Sequence, residues 1–214
     1  MILVRPSTEI LTVTAEPLLL IEQAGRTCYK SEDKFSVESS EKFVKMLLER
    51  GHESVIEHAS ATCKIVCDRG VTHEIVRHRL ASYSQESTRY CDYSGGHVSF
   101  VIPPWVACEP STYERGNLPV NSFLSCADTE WFHAMVVAED AYKLLRSCGW
   151  KPEQARSILP NSLKTEIVMT ANFREWRHFF KLRTSPKAHP QMREVADDLL
   201  LKFKKRIRVV FDSI

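Results

Sequence analysis

Residues 73–90 read His73-Glu74-Ile75-Val76-Arg77-His78-Arg79-Leu80-Ala81-Ser82-Tyr83-Ser84-Gln85-Glu86-Ser87-Thr88-Arg89-Tyr90, the densest polar stretch of the chain. The stretch admits three readings. A metal site would pair His73-Glu74 with His78, one residue longer than the HExxH spacing. On a helix that turns about 100° per residue, ligands at i and i+4 share a face. Those at i and i+5 lie roughly 140° apart, so one ion is not chelated that way and no metal is expected. A nucleic-acid surface would set Arg77, Arg79 and Arg89 on phosphates and Tyr83 and Tyr90 on bases. Glu74, Glu86 and Asp92 interrupt that charge, and no basic run continues it. A small anionic ligand suits the pattern better. Forked guanidiniums bind phosphate bidentately, and Ser82, Ser84, Ser87 and Thr88 add donors without charge. On charge pattern alone, solvated ion pairs remain the alternative.

The surrounding 214 residues read as one domain, 1–214, since no Pro/Gly/Ser-rich linker separates two cores. A hydrophobic fraction of 43% with 26% charged residues is too apolar for a disordered chain. The formal charge of +2 gives no global pull toward nucleic acid. Met1 to Ile10 lacks the basic-then-apolar pattern of a signal peptide, and Leu18-Leu19-Leu20-Ile21 is too short to cross a membrane. Seven cysteines without CxxC spacing read as reduced thiols. Together these features suggest a cytoplasmic protein with neither nucleic-acid nor membrane partners.

Periodicity suggests the elements. Leu18 to Arg26 is expected to form a short helix. A second helix, capped by Ser39 or Ser40, carries Phe43, Met46 and Leu47 and ends at Gly51. Ala59 to Cys67 favours a strand, with Cys63, Ile65 and Cys67 on one face. Gly70 to Arg79 reads as a helix, Leu80 to Arg89 as a loop, and His97 to Ile102 as a strand stopped by Pro103-Pro104. Residues 107–127 look irregular. Asp128 to Cys148 carries a helical stripe of Trp131, Met135, Ala138, Tyr142 and Leu145. Pro152 opens a short helix that Pro160 closes. Leu163 to Met169 alternates as a strand, Phe173 to Arg183 forms a basic, aromatic helix, and Gln191 to Phe211 an amphipathic one. This order argues for α+β. The seven glycines contain no GxGxxG after a strand, which disfavours a Rossmann domain.

Arg77-His78-Arg79, seven residues and then Ser87 resemble the RHR-x7-S motif of flavin-dependent thymidylate synthases, and Arg89 extends it. Other segments agree in order. Gly51-His52-Glu53-Ser54 with Glu57-His58 resembles that family's GHE(S/T)xxEH segment. Ala155-Arg156-Ser157-Ile158-Leu159-Pro160 resembles its AR-x-(I/V)-LP helix. Asn172, Arg174, His178, Leu182-Arg183 and His189-Pro190-Gln191 resemble its late helix and following turn. The resemblance covers about residues 20–210, with residues 107–127 least diagnostic.

The resemblance implies a mixed or antiparallel sheet flanked by helices, in a homotetramer with active sites where subunits meet. It implies FAD reduced by NADPH, methylenetetrahydrofolate as carbon donor and dUMP as substrate for dTMP. Ser54, Arg77, His78, Arg79 and Gln85 would then contact FAD. So would Asn172, Phe173, Arg174 and His178, with Arg174, Arg177, His178 and Lys181 forming a cationic wall at helical spacing. Glu74, Arg77, Gln85, Glu86, Ser87, Thr88 and Arg89 would contact dUMP, joined by Arg156 from another subunit. Arg183 would be the catalytic group, a cation against uracil that favours the deprotonated imide. His52 would lie near flavin and folate. Glu74, Gln85, His178 and Cys28 depart from the commoner family choices of glutamine, an acid, asparagine and serine.

Overall fold

Strict alternation shapes two strands. In Lys164–Asn172 the residues Thr165, Ile167, Met169 and Ala171 are buried and those between are only partly covered, the two-residue period of a strand with one face on a core. Ser60–Asp68 repeats it with Ala61, Cys63, Ile65 and Cys67. The computed structural model of the chain describes residues 1–114, 116 and 125–214.

The chain runs β1 (Ile2–Val4), β2 (Ser7–Val13), α1 (Pro17–Tyr29), α2 (Val37–Glu49), β3 (Ser60–Asp68), α3 (Arg69–Ile75) and β4 (Ala81–Gln85). It continues through β5 (Ser99–Val101), β6 (Ser111–Thr112), α4 (Cys126–Ser147), α5 (Pro152–Ala155), β7 (Lys164–Asn172), α6 (Phe173–Arg183), α7 (Pro190–Arg206) and α8 (Arg208–Phe211). One sheet has the order β5-β1-β6, with β1 parallel to β5 and antiparallel to β6. The other has the order β2-β3-β7-β4. This is the expected α+β class of mixed sheets with helices.

The chain divides into two compact units. The first comprises Met1–Ser7, Val66–Ile75 and Gln85–Ile167. Its core joins Met1, Leu3, Phe100 and Ile102 to Phe132, Met135 and Tyr142 of α4. The expected stripe of α4 is present, with Trp131, Ala138 and Leu145 packed partly buried against that core. The second unit comprises Thr8–Ile65, Val76–Ser84 and Val168–Ile214. Its centre is an aromatic cluster in which Trp176 packs on Phe179, Phe180 and Phe203, and Phe211 on Phe173, Phe180 and Phe203. The indole Nε1 of Trp176 donates to the Ala61 carbonyl at 3.1 Å, so the one polar atom of this side chain is satisfied.

Several boundaries differ from expectation. Helix α2 starts at Ser36, whose Oγ accepts from Ser39 N while Ser39 Oγ accepts from Ser36 N, both at 3.2 Å. Ser39 is therefore the third helical residue of a capping box and not the cap. Helix α3 ends at Ile75 and leaves Arg77-His78-Arg79 outside it. The segment read as a loop from Leu80 holds strand β4, since pairing with β7 outweighs the turn preference of Ser82 and Ser84. The final helix breaks at Ile207, at φ −142°, where three β-branched residues fall within Ile207–Val210. Part of the expected irregular stretch 107–127, residues 115 and 117–124, lies outside the described residues; Ser111–Thr112 and Cys126 onward are regular.

Within α1, a Cβ at Gly25 would lie 2.6 Å from Phe43 Cε1, in a ring covered by the Arg26 guanidinium at 4.2 Å. Helix propensity favours Ala over Gly by about 1 kcal/mol, whereas overpacking costs about 1–3 kcal/mol. Gly25→Ala is therefore expected to lower the unfolding free energy by about 1 kcal/mol, seen as a lower chemical-denaturation midpoint with the slope unchanged. A raised midpoint would show that Phe43 yields freely.

Candidate active site

Helix α6 follows β7 without a loop. Asn172 makes the turn, its side-chain oxygen accepting from Glu175 N at 2.9 Å, an N-cap that satisfies one of the first-turn amides. Phe173 N–H is bound to the Ala59 carbonyl at 2.9 Å and its ring is wholly buried. Neither its ring nor its N–H is thus open to a ligand. Beyond the cap, Phe173, Trp176, Phe179 and Phe180 face the core while Arg174, His178 and Lys181 are exposed.

These outward residues border a cleft of about 820 Å³ within the second unit, lined by Asn172, Arg174, Glu175, His178 and Lys181 with Glu53, Glu57 and Leu80. Its cations are already matched by acids. Arg174 Nη1 meets Glu57 at 2.5 Å and Lys181 Nζ lies 3.5 Å from Glu53. The expected cationic wall therefore carries its own counter-charges. Arg177 leaves it altogether. It is buried, with Nε and Nη2 on Glu53 Oε1 at 3.3 and 3.1 Å and Nη1 on the Val210 carbonyl. Burial alone would raise the Glu53 carboxyl pKa, but the charges of Arg177 and Lys181 outweigh it and hold it below the usual range.

Across Arg77-His78-Arg79 the exposure alternates, with both arginines out and the histidine in. Among the described residues no ion pair holds Arg77 or Arg79. The His78 ring is buried, with Nδ1 3.0 Å from Glu175 Oε1 and Nε2 3.1 Å from Arg183 Nε. A guanidinium can only donate, so Nε2 is the acceptor and the ring proton sits on Nδ1, directed at Glu175. Burial, reinforced by the charges of Arg183 and His178, lowers the His78 pKa against the opposing pull of Glu175. His78, Glu175 and His178 place potential ligand atoms within 4.8 Å of one another. With one nitrogen of His78 protonated and the other accepting, its ring has no lone pair for a cation. Ser54 and His52 are exposed, with the His52 ring 6.5 Å from that of Tyr29.

In the first unit the segment 85–89 is built inward. Gln85 Nε2 donates to Thr72 and Thr165 hydroxyls at 3.1 and 3.3 Å. Glu86 accepts from the Tyr93 hydroxyl at 2.8 Å and pairs with Lys164 at 3.2 Å. Burial, then Glu86, raises the Tyr93 pKa. Ser87 closes a turn, its carbonyl accepting from Tyr90 N and Cys91 N at 3.1 and 2.9 Å. Thr88 is buried and accepts from Arg156 Nη1 at 3.1 Å. Arg156 thus meets the segment 85–89 within its own chain. Arg89 is exposed, its guanidinium 5.5 Å from the Tyr90 ring centre. Glu74 is half-buried.

The structure thus gathers Asn172, Arg174 and His178 at one cleft, His78 with Arg183, and Arg156 with Thr88. Sequence reasoning missed Glu53, Glu57 and Glu175 as partners of these cations. The first two stood in the quoted GHE(S/T)xxEH segment, and their place in it was the available signal. Nothing local marked Glu175.

The profile of the family described as "Thymidylate synthase complementing protein" matches residues 9–207. The flavin-dependent thymidylate synthase of Pyrococcus furiosus is 37% identical over 190 residues, spanning 87% of this chain and 72% of that protein. The chain belongs to the flavin-dependent thymidylate synthase family. The Geobacter sulfurreducens flavin-dependent thymidylate synthase is 34% identical over 209 residues, 94% of this chain and 84% of the relative. The fold agrees: the crystal structure of a UMP/dUMP methylase, PolB, from Streptomyces cacaoi bound with 5-Br dUMP superposes with a TM-score of 0.77 at 25% identity, covering 99% of this chain and 96% of that one. Among the described residues no helix is long and apolar enough to cross a membrane.

The residues suit the flavin this family uses. The cleft volume falls within the range of about 300–1,000 Å³ common for ligand pockets. Among the described residues Arg77 and Arg79 offer guanidiniums without acid partners, suited to a phosphate or pyrophosphate. Two arginines three residues apart on α6 should nevertheless behave differently. Arg174→Ala removes an exposed pair and is expected to leave thermal unfolding essentially unchanged while weakening flavin retention. Arg177→Ala removes a buried guanidinium from Glu53 and the Val210 carbonyl and is expected to cost about 2 kcal/mol in denaturant unfolding. Equal effects on unfolding would refute the distinction.

Proposed function

We propose that this flavin-dependent thymidylate synthase methylates dUMP to dTMP. Its carbon comes from methylenetetrahydrofolate and its hydride from FAD that NADPH has reduced. The reaction balances: dUMP, methylenetetrahydrofolate, NADPH and a proton give dTMP, tetrahydrofolate and NADP+. The observation that carries the reading is family membership across residues 9–207, which includes the whole stretch from His73 to Tyr90.

Roles divide by unit. In the second, Ser54, Arg77, Arg79, Asn172, Arg174 and His178 hold FAD, with the Phe173 carbonyl beside them and His52 toward flavin and folate. The chemistry a bound FAD supplies is hydride donation. In the first, Ser87 and Arg89 cradle the dUMP phosphate, while Glu74 contacts base or ribose. The contact between Arg156 and Thr88 supports a place for Arg156 at that same loop. Gln85 and Glu86 fix the loop through Thr72, Thr165 and Lys164.

Arg183 sits against uracil, with Arg77 toward the same nucleotide. A fixed guanidinium stabilises the imide anion and draws electron density from the ring, an electrostatic role that needs no covalent enzyme nucleophile. Ser87 is accordingly a ligand contact. Its oxygen accepts from Arg89 N at 3.3 Å, which suits a turn better than an activated hydroxyl. The protein acts in the cytoplasm as a homotetramer. Exposed Leu80 and Leu182 are apolar side chains that such an assembly would cover.

The purified protein is expected to be yellow, to bleach with NADPH without oxygen, and then to yield dTMP from dUMP and methylenetetrahydrofolate. A colourless protein that takes up no FAD would defeat the reading. Arg183→Ala should abolish turnover with FAD still bound, and near-normal kcat would remove the activating role. Arg89→Lys, which replaces a fork by a point charge, should raise KM for dUMP more than it lowers FAD occupancy.

A further inference from the structure

We infer that Glu175 and His78 are positioning residues that set the guanidinium plane of Arg183. The inference rests on the proposed role of Arg183 at the uracil ring.

Glu175 lies in the first turn of α6 and Arg183 is its last residue, eight positions on, roughly 12 Å along the axis. His78 spans them, 3.0 Å from the one and 3.1 Å from the other. The residue is held on other sides too. Phe179 packs at 4.9 Å and His178 edge-on at 5.7 Å, and the Tyr83 hydroxyl donates to the His78 carbonyl at 2.6 Å. A ring fixed in this way offers a lone pair in one direction. An arginine at a helix end has several rotatable bonds, and a directed bond to Nε fixes the plane of its fork.

The chemistry of the acceptor matters. A neutral imidazole holds the guanidinium without cancelling its charge, while Glu175 fixes the tautomer that makes Nε2 an acceptor. Protonated His78 would turn an N–H toward Arg183 and break the hold. The titratable groups around His78 are Glu175, His178 and Arg183 of α6 at its ring and Tyr83 of β4 at its carbonyl. Of these, Arg183 and His178 oppose imidazolium and Glu175 favours it.

The test compares Glu175→Leu, His78→Phe and Glu175→Gln as flavin-loaded holoenzymes. The first two should lower kcat about 10–100-fold, the loss that slight misplacement of a reacting group causes. FAD content and KM for dUMP should stay within about threefold of wild type. Glu175→Gln keeps an oxygen for Nδ1–H and should recover kcat to within about threefold. Without the carboxyl the imidazolium is harder to form, so the acid limb of its kcat profile should move to lower pH. Folded, flavin-loaded Glu175→Leu and His78→Phe with wild-type kcat would overturn the inference, as would Glu175→Gln no better than Glu175→Leu. Should both apolar variants fail to fold, ¹⁵N NMR of the wild-type holoenzyme decides. A proton on Nδ1 of His78 supports the inference and one on Nε2 overturns it. An active Arg183→Ala would instead mark the failure of the Arg183 reading itself.

Discussion

Much of the second unit depends on how strand β7 turns into helix α6 at Asn172. One side chain and one amide make the switch: Asn172 Oδ1 takes Glu175 N, and Phe173 N goes to the Ala59 carbonyl. With no loop to absorb error, the strand's two-residue period hands over directly to the helix's 3.6-residue period. Every α6 side chain then has an assigned direction. Phe173, Trp176 and Phe180 enter the aromatic core, while Arg174 and His178 face the cleft. The Trp176 bond to Ala61 and the Phe173 bond to Ala59 tie the same helix to β3 and to the residue that leads into it. A rigid mount of this kind is what a site of several cations requires, since guanidiniums on a loose helix would lose side-chain entropy on every binding event.

The sequence made this mount legible because both periods were undisturbed. Thr165, Ile167 and Met169 alternate, then the aromatic spacing begins at Phe173, and the helix spans the expected Phe173–Arg183. Strand β4 was not legible. Its serines have a turn preference, and only the pairing partner β7 overrides it. The start of α2 was missed for a related reason. Several serines offered caps, and the choice fell to Ser36 through its reciprocal bond with Ser39. Arg177 shows a sharper limit. Residues at i and i+3 are only about 60° apart on a helix, so periodicity put Arg177 with Arg174. Its surroundings, Glu53 and the Val210 carbonyl, then drew it inward. Glu175 was invisible because its meaning comes from a histidine 97 positions away.

The motif Arg77-His78-Arg79 is also clearer as structure than as a string. Read as part of a helix it would spread three basic groups around an axis. Outside α3 it presents two arginines outward and one histidine inward. Three similar-looking residues thus serve different ends, two available to an anion and one built into the protein. That division explains why the tripeptide is informative where basic residues in general are not.

The cations of the second unit come in two electrostatic kinds. Arg174 and Lys181 rest on Glu57 and Glu53, whereas Arg77 and Arg79 have no such acid among the described residues. Exposed ion pairs contribute little, because water already solvates both charges. Arg174 and Glu57 keep 52% and 41% of their side-chain surfaces exposed, so exchanging that carboxyl for a ligand phosphate costs little. Glu53 differs, since buried Arg177 claims the same oxygen. A ligand that displaced it would strand a buried cation, which is far more costly. Anion binding at the cleft should therefore draw on Arg174 and leave the Glu53–Arg177 bond in place.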